Sequence, residues 1–181
     1  MELKEGYKNS EVGLIPKDWI VVSIDDMAQV VGGGTPNSFN TSFWNGNINW
    51  FTPTEIGNNK YVYESERKIS KEGYLNSSAN LLPPGTILLT SRAGIGDLAI
   101  LINEACTNQG FQSLISNKDK DNEFLYYLIS TLKGQLLRNA SGSTFLEISS
   151  GNIRSFEIKL PPLPEQQKIA SILTSVDEVI E

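Results

Sequence analysis

A stretch rich in asparagine and aromatic residues carries no charged side chain. It runs over residues 27–54 and holds five asparagines, which alternate with phenylalanine and tryptophan. Asn can pair with adenine through two hydrogen bonds, Ser and Thr can meet most base edges, and aromatic rings can pack on thymine methyl groups. The stretch therefore predicts contacts to DNA bases from Thr35, Asn37, Ser38, Asn40, Trp44 and Asn45. The alternative is a loop capped by its own asparagines, with Trp44 and Trp50 in the core.

Basic and amide side chains at other predicted turns add further candidates. Arg92 stands near Gly94 and Gly96 at a predicted hairpin tip, where its guanidinium could reach a phosphate or a guanine edge. A surface salt bridge is the equal alternative for this arginine. The remaining candidates for DNA contact are Lys60, Arg67, Lys68, Gln109 and Ser143. Glu64 and Glu66 lie between Lys60 and Arg67, so a solvated face of mixed charge is the alternative for these basic residues.

The residues needed for catalysis are largely missing. The chain contains no histidine, which removes the commonest general base and excludes Ser/His and Cys/His nucleophilic pairs. Glu157 and Lys159, with Glu147 upstream, have the Glu-x-Lys form of many metal-dependent nucleases. A strand with alternating solvated charges explains the same residues more simply. We therefore expect a protein that is not an enzyme, with no catalytic residue, metal site or cofactor of its own.

Length and composition bound the class of protein. A chain of 181 residues is long enough for one domain with a real core. The net charge of −6 argues against a protein that grips DNA alone, because phosphate contacts need Lys and Arg. Cys106 is the only cysteine, which rules out an internal disulfide and fits a cytoplasmic protein. No apolar run approaches the ~20 residues that span a bilayer, so no membrane contact is expected.

The order of predicted elements indicates an α+β fold that is rich in strands. Strands are predicted at 20–24, on both sides of a long loop within 27–54, at 111–115 and at 156–160. The apolar runs 85–90 and 97–102 suggest a buried hairpin. The clearest internal helix covers 122–137, with Asp121 or Asn122 as its cap and one apolar face.

A second helix is predicted at the end of the chain, after three prolines that include Pro164. Ile169, Ile172, Val176 and Val179 are spaced three, four and three residues apart, as in a coiled-coil seam, and Leu173 and Ile180 widen the stripe. Two heptads also suit an ordinary amphipathic helix that folds back on its own domain. These six apolar residues are the predicted helix interface.

Several motifs, in order along the chain, resemble type I restriction–modification specificity (S) subunits. They are Gly32-Gly33-Gly34-Thr35-Pro36, Trp44-Asn45-Gly46-Asn47-Ile48-Asn49-Trp50, Thr52-Pro53-Thr54-Glu55-Ile56, Ser91-Arg92-Ala93-Gly94-Ile95-Gly96, Thr107-Asn108-Gln109-Gly110-Phe111, Gly142-Ser143-Thr144-Phe145 and Leu160-Pro161-Pro162-Leu163-Pro164-Glu165-Gln166-Gln167-Lys168-Ile169-Ala170. A full S subunit has two target-recognition domains joined by two long helices. This chain corresponds to one such domain and the start of one helix.

The resemblance implies a function and a set of partners. Residues 1–160 would form a target-recognition domain that reads one half of a bipartite site in double-stranded DNA, and residues 161–181 would begin the conserved helix. That helix would pack against another of its kind, which allows self-association. Methyltransferase (M) subunits would use S-adenosylmethionine, and a restriction (R) subunit would use ATP and Mg²⁺. Two alternatives remain: a scaffold for M subunits that reads no sequence, and a carbohydrate- or peptide-binding β-rich module.

Overall fold

The computed structural model describes residues 5–142 and 146–180 and has the predicted α+β fold. Its strands are β1 (Tyr7–Ser10), β2 (Gly13–Pro16), β3 (Ile20–Ser23), β4 (Ala28–Gly32), β5 (Trp44–Phe51), β6 (Tyr61–Val62), β7 (Lys68–Ile69), β8 (Ile87–Leu89), β9 (Leu98–Leu101), β10 (Ala105–Thr107), β11 (Gln112–Ser116) and β12 (Glu157–Leu160). Its helices are α1 (Ile24–Met27), α2 (Lys71–Leu75), α3 (Asn122–Thr131), α4 (Lys133–Arg138), α5 (Ser150–Arg154) and α6 (Leu163–Ile180).

The central sheet has the strand order β4-β11-β8-β9-β6 and is covered on both faces. β8 and β9 form the predicted antiparallel hairpin, with Leu89 opposite Leu98. Alternate side chains of β8 enter different cores: Ile87 and Leu89 pack with α3, whereas Leu88 packs with Phe51 and Phe111 on the other face. Burial on both faces explains why these strands are continuous apolar runs in the sequence.

A smaller sheet, β10-β5-β7, carries the polar-aromatic stretch. β5 is parallel to β10 and antiparallel to β7. Its core contains Trp50, Ile69, Ala79 and Cys106. The predicted closing strand is also confirmed, because β12 pairs antiparallel with β3 and brings Leu160 opposite Ile20.

The predicted helix over 122–137 is wrong in one respect, because it is broken at Leu132. Asp121 caps α3 as predicted, with its carboxylate accepting a hydrogen bond from the Phe124 N–H. At the other end the Leu132 N–H bonds to the Ile129 carbonyl, a tight i to i−3 turn. The Thr131 hydroxyl donates to the Leu128 carbonyl. The tight turn at Leu132 ends α3 before α4 begins.

The C-terminal helix α6 begins at Leu163, so Pro164 lies in its first turn as predicted. It packs lengthwise against α3. Gln166, which is 2% exposed, donates to the Pro161 carbonyl and accepts from the Asp121 N–H. Among the described residues no helix is long and apolar enough to cross a membrane.

Candidate nucleic-acid interface

Two tryptophans hold the loop that connects β4 to β5, residues 33–43. The indole N–H of Trp50 donates to the Gly34 carbonyl at 2.9 Å, and that of Trp44 donates to the Asn37 carbonyl at 3.3 Å. The two rings meet edge to face with centroids 5.1 Å apart. Trp50 is buried and Trp44 is half-buried. Trp44, predicted to contact DNA, is therefore largely a support for the loop.

Asparagine side chains cap the turns within this loop. Asn37 Oδ1 accepts from the Phe39 N–H at 3.0 Å, and Asn40 Oδ1 accepts from the Ser42 N–H at 3.1 Å. These are the capping roles that were the alternative interpretation of the asparagines. Both bonds use the amide oxygen, so the NH₂ groups remain as donors at the surface. Thr35 donates to Gln109 Oε1 at 2.5 Å, which connects the loop to the end of β10.

Phe39 stands out at the tip of the loop, where it is 95% exposed. Its flanking turns are fixed by the caps of Asn37 and Asn40, so the ring is presented by a defined backbone. Phe39 was not among the residues predicted to contact DNA. The signal was present, because an aromatic residue between Ser38 and Asn40 lies in a turn with little apolar sequence around it.

A β-bulge projects Asn45 beside the loop. Ile69 of β7 pairs with both Trp44 and Ile48, so residues 45–47 bulge out of β5. Asn45 has φ +58°, in the left-handed region that Asn tolerates better than most residues. A Cβ at Gly46 would lie 2.3 Å from the Ser70 Cα, so this position accepts only glycine. Bulges of this kind commonly redirect a side chain, here an exposed amide.

Arg67 brings a cation to the same surface. Its guanidinium carbon lies 3.8 Å from the centroid of Trp44 and 5.3 Å from that of Trp50. Stacking uses the flat face of the guanidinium and leaves its N–H edge available for hydrogen bonds. Lys68 follows on β7 and pairs with Glu64 at 3.3 Å. The structure thus gathers the 33–43 loop, Asn45, Arg67 and Gln109, which we name the loop surface. Lys68 lies between Arg67 and Ile69, which both face the tryptophans, so its side chain leaves the other face of the strand toward Glu64.

Arg92 forms the surface salt bridge that was its alternative interpretation. Its guanidinium lies 2.8 Å from Glu147 Oε2, and its side chain is 42% exposed. The adjacent Ser91 N–H donates to the Gly110 carbonyl at 2.7 Å, so Arg92 lies close in structure to Gln109 at one end of the loop surface. Ser143, the remaining predicted contact, lies outside the described residues.

Lys60 does not belong to the loop surface, which corrects the prediction that it contacts DNA. Its side chain is 8% exposed, and its ammonium lies 2.6 Å from Glu123 Oε2. It also donates to Tyr127 at 2.8 Å and to Thr174 at 2.9 Å, on α3 and α6. One ion pair and two hydrogen bonds thus hold the ammonium inside the protein. Lys60 is therefore the one predicted basic contact among Lys60, Arg67 and Lys68 whose charged group is buried.

The predicted helix interface is divided between two sides of α6. Ile169 packs against the main core and Leu173 is 37% exposed. Ile172, Val176 and Val179 are exposed, and the side chain of Ile180 is not described. Toward the domain, α6 instead presents Gln166 and Ala170, which are both buried. The apolar stripe is thus only partly covered by the chain's own domain.

Groups with catalytic potential are dispersed or inert among the described residues. Glu147 pairs with Arg92, whereas Glu157 lies on β12 opposite Ser23 of β3. No group of three or more Asp, Glu, Cys or His side chains in 5–142 and 146–180 could hold a metal ion. Burial, helped by Glu104, raises the pKa of Cys106 to about 12. A thiol with so high a pKa is a poor nucleophile.

Comparison with known proteins identifies the family. The family described as "Type I restriction modification DNA specificity domain" matches residues 16–181. The specificity subunit of the type I restriction enzyme MjaIX from Methanocaldococcus jannaschii is 42% identical over 97% of this chain and 41% of its own length. A specificity subunit from Escherichia coli is 32% identical over 86% of this chain and 40% of its own. The chain thus spans about two fifths of these relatives.

Solved structures agree in fold. The HsdS subunit from Thermoanaerobacter tengcongensis superposes with a TM-score of 0.71 at 21% identity, covering 97% of this chain and 41% of that one. A chain from a study of complex assembly and conformational transition of the type I R-M system superposes with a TM-score of 0.73 at 22% identity. The match covers 92% of this chain and 40% of that one. With the family match across residues 16–181, the chain belongs to the type I restriction–modification specificity subunits.

Proposed function

We propose that this chain reads one half of a bipartite DNA target and performs no chemistry itself. Residues 1–160 act as the recognition domain, and 161–181 begin the helix that spaces it from a second one. The observation that supports this most directly is the stack of Arg67 on Trp44, beside a loop pinned by Trp44 and Trp50. A rigid, mixed donor and aromatic surface suits base readout, because preorganised side chains lose little freedom on binding.

Each exposed group of the loop surface matches a feature of the major groove. The N–H edge of Arg67 fits the two acceptors of guanine, and the amide of Asn45 fits adenine. Phe39 fits a thymine methyl group. Arg92 stands at the margin in an ion pair, where it can exchange a carboxylate for a phosphate. The surface would thus combine direct readout with limited backbone contact.

Partner subunits would supply what this chain lacks. The net charge of −6 leaves few cations for a tight phosphate clamp. Methyltransferase subunits with S-adenosylmethionine, and a restriction subunit with ATP and Mg²⁺, would provide both the clamp and the reaction. The relatives named as specificity subunits, and a similar chain solved in work on type I complex assembly, support this division of labour.

The α6 stripe would be the point of association with a second helix. Ile172, Val176 and Val179 lie at 56%, 48% and 85% exposure, and their burial against a partner helix would stabilise the pair. Each fully buried side chain of this kind contributes about 1.5–3 kcal/mol. The partner would be the second conserved helix of a full specificity subunit or another copy of this chain.

A carbohydrate-binding module fits the same residues less well. Sugar stacking needs an open aromatic face, but Arg67 covers Trp44 and Trp50 is 3% exposed, so neither tryptophan offers one and a sugar would have to rely on the single ring of Phe39. A scaffold that holds partner subunits without reading sequence remains the second candidate. It differs from the proposal only in whether the loop surface touches bases.

The experiment is methylation by the assembled complex on a library of DNA with randomised targets. We expect enrichment of a half-site of a few fixed base pairs. The variant Asn45→Ala/Arg67→Ala should change or abolish that half-site, while Arg154→Ala, in an exposed ion pair with Asp25 elsewhere, should leave it intact. Uniform methylation of all targets by the wild-type complex would favour the scaffold.

A further inference from the structure

A buried polar network joins the sheet, α3 and α6 around the Lys60 ammonium. Lys60 directly precedes β6, and its carbonyl accepts from the Ile100 N–H at 2.7 Å, which fixes its backbone to the central sheet. Its side chain reaches Glu123 and Tyr127 on α3 and Thr174 on α6. A single side chain thus contacts both helices from the edge of the sheet.

Neighbouring groups complete this network, which we name the polar latch. The Tyr61 hydroxyl donates to Glu123 Oε1 at 3.0 Å, while Glu123 Oε2 forms the ion pair with Lys60. The Tyr127 hydroxyl donates to Asp177 of α6, one turn beyond Thr174. The latch comprises Lys60, Tyr61, Glu123, Tyr127, Thr174 and Asp177.

The ammonium of Lys60 remains charged inside this site. Burial opposes the charge, but the hydrogen bonds and charge of Glu123 and the Tyr127 hydroxyl outweigh burial and raise the pKa of Lys60 above its ordinary value. The rings of Tyr61, Tyr126 and Tyr127 lie 4.4–5.5 Å from the ammonium. A charge surrounded this completely depends on a defined arrangement of the elements that carry its partners.

The latch and Gln166 hold α6 at two separate points. Gln166 is bonded to the Pro161 carbonyl and the Asp121 N–H, near the start of both helices. Thr174 follows eight residues later, about 12 Å along a helix with a rise of ~1.5 Å per residue. Apolar contacts are non-directional and allow a helix to slide or turn. Hydrogen bonds are directional, so two polar points determine the axis and rotation of α6.

We propose that the polar latch is a positioning device, which fixes the direction of α6 relative to the recognition domain. This inference rests on the proposed function: if α6 joins two recognition domains, its direction sets their separation and hence the spacer length between the two DNA half-sites. Lys60 and Glu123 are positioning residues and do not touch DNA. A buried ion pair often adds little to stability while favouring one geometry, which fits this role.

The first test measures the direction of α6 in the isolated chain. Spin labels at Gln29→Cys and Glu178→Cys, both exposed positions on β4 and α6, report the distance between domain and helix. The buried Cys106 can stay in place. We expect one narrow distance distribution in wild type and a broad one in Lys60→Met/Glu123→Gln, which removes both charges. An equally narrow distribution in that variant would overturn the proposal.

A matched control separates the latch from ion pairs in general. Lys133 and Asp97 form a pair with the same 2.6 Å separation, more exposed and outside the latch. The variant Lys133→Met/Asp97→Asn should keep the narrow distribution. If the Lys60 double variant does not fold, Tyr127→Phe removes only the hydroxyl that links Lys60 to Asp177, and it should broaden the same distance.

The second test uses the assembled complex on DNA with spacers lengthened or shortened one base pair at a time. A misplacement of about 1 Å can cost about 10²-fold in rate. In Lys60→Met/Glu123→Gln we therefore expect the ratio of methylation rates on the preferred and the other spacers to fall about tenfold. Equal loss at every spacer would indicate a merely structural role and refute the proposal. A wild-type complex with no spacer preference would refute the proposed function, and the label distances would still decide on the latch.

Discussion

Arg67 is the residue on which direct readout would depend most. Its guanidinium stacks on Trp44 and keeps its N–H edge toward solvent. In the assembled complex, Arg67→Ala should weaken binding of the cognate target by about 1–3 kcal/mol and relax preference at one base pair. Arg67→Lys should not restore it, because an ammonium lacks the planar fork. Fluorescence titration measures both. Equal loss on all DNA sequences would assign Arg67 to phosphate contact instead.

Phe39 allows stability and binding to be separated at one position. Because the ring is 95% exposed, Phe39→Ala should leave the free energy of unfolding within about 0.5 kcal/mol of wild type. The same change should weaken target binding by the assembled complex, since the ring would lose its contact with a base. Thermal unfolding and the binding titration are the two measurements. Unchanged binding would remove Phe39 from the proposed interface.

Residue roles were predictable where neighbours in sequence determine them. Asn37 and Asn40 cap turns two residues away, and that role follows from local chemistry. Lys60 was placed wrongly because its partners Glu123 and Thr174 lie 63 and 114 residues further along the chain, and no local pattern indicates them. The stack of Arg67 on Trp44 was missed for the same reason, since only the pairing of β5 with β7 brings the two together.

Among the secondary-structure elements, periodicity and capping gave correct strands and helix starts. The apolar runs became β8 and β9, and Asp121 caps α3. The break at Leu132 was not predicted, because the apolar spacing continues without interruption from Ile129, before the break, to Leu136, after it. Strand pairing across the chain, such as β10 beside β5, follows from tertiary packing that single-sequence patterns do not report.

The exposed stripe of α6 predicts concentration-dependent association. The isolated chain should associate weakly, and a chain lengthened by two or three heptads in the same pattern should form a firm dimer, since each heptad adds buried contacts. Sedimentation of the two chains at tens of micromolar, where about 6–7 kcal/mol of association is detectable, measures this.

The lengthened chain has a direct control. Ile172→Glu/Val176→Glu places charges in the stripe without touching Gln166 or Ala170, the buried domain-facing residues. That variant should return to a monomer while remaining folded. If the lengthened chain without these changes is already monomeric, the dimerising role of α6 is wrong.

For the whole molecule, charge predicts weak DNA binding in isolation. With a net charge of −6, the chain alone should bind DNA in the non-specific range, with a Kd of about 10⁻⁴–10⁻⁶ M at physiological salt. Titration of labelled DNA at two salt concentrations measures this, with the assembled complex as the comparison. Nanomolar binding by the isolated chain that survives high salt would contradict it.

The attachment of the 33–43 loop has a consequence for how such proteins change their targets. The indole N–H groups of Trp44 and Trp50 donate to backbone carbonyls of the loop, at Asn37 and Gly34 respectively. A backbone carbonyl is present whatever side chain the residue carries. Ser38 and Phe39 are exposed and lie outside these bonds. If this loop reads bases as proposed, mutations at Ser38 and Phe39 would alter the bases that are read while the scaffold stays folded. A new recognition sequence would then need only one or two substitutions, with no unstable intermediate.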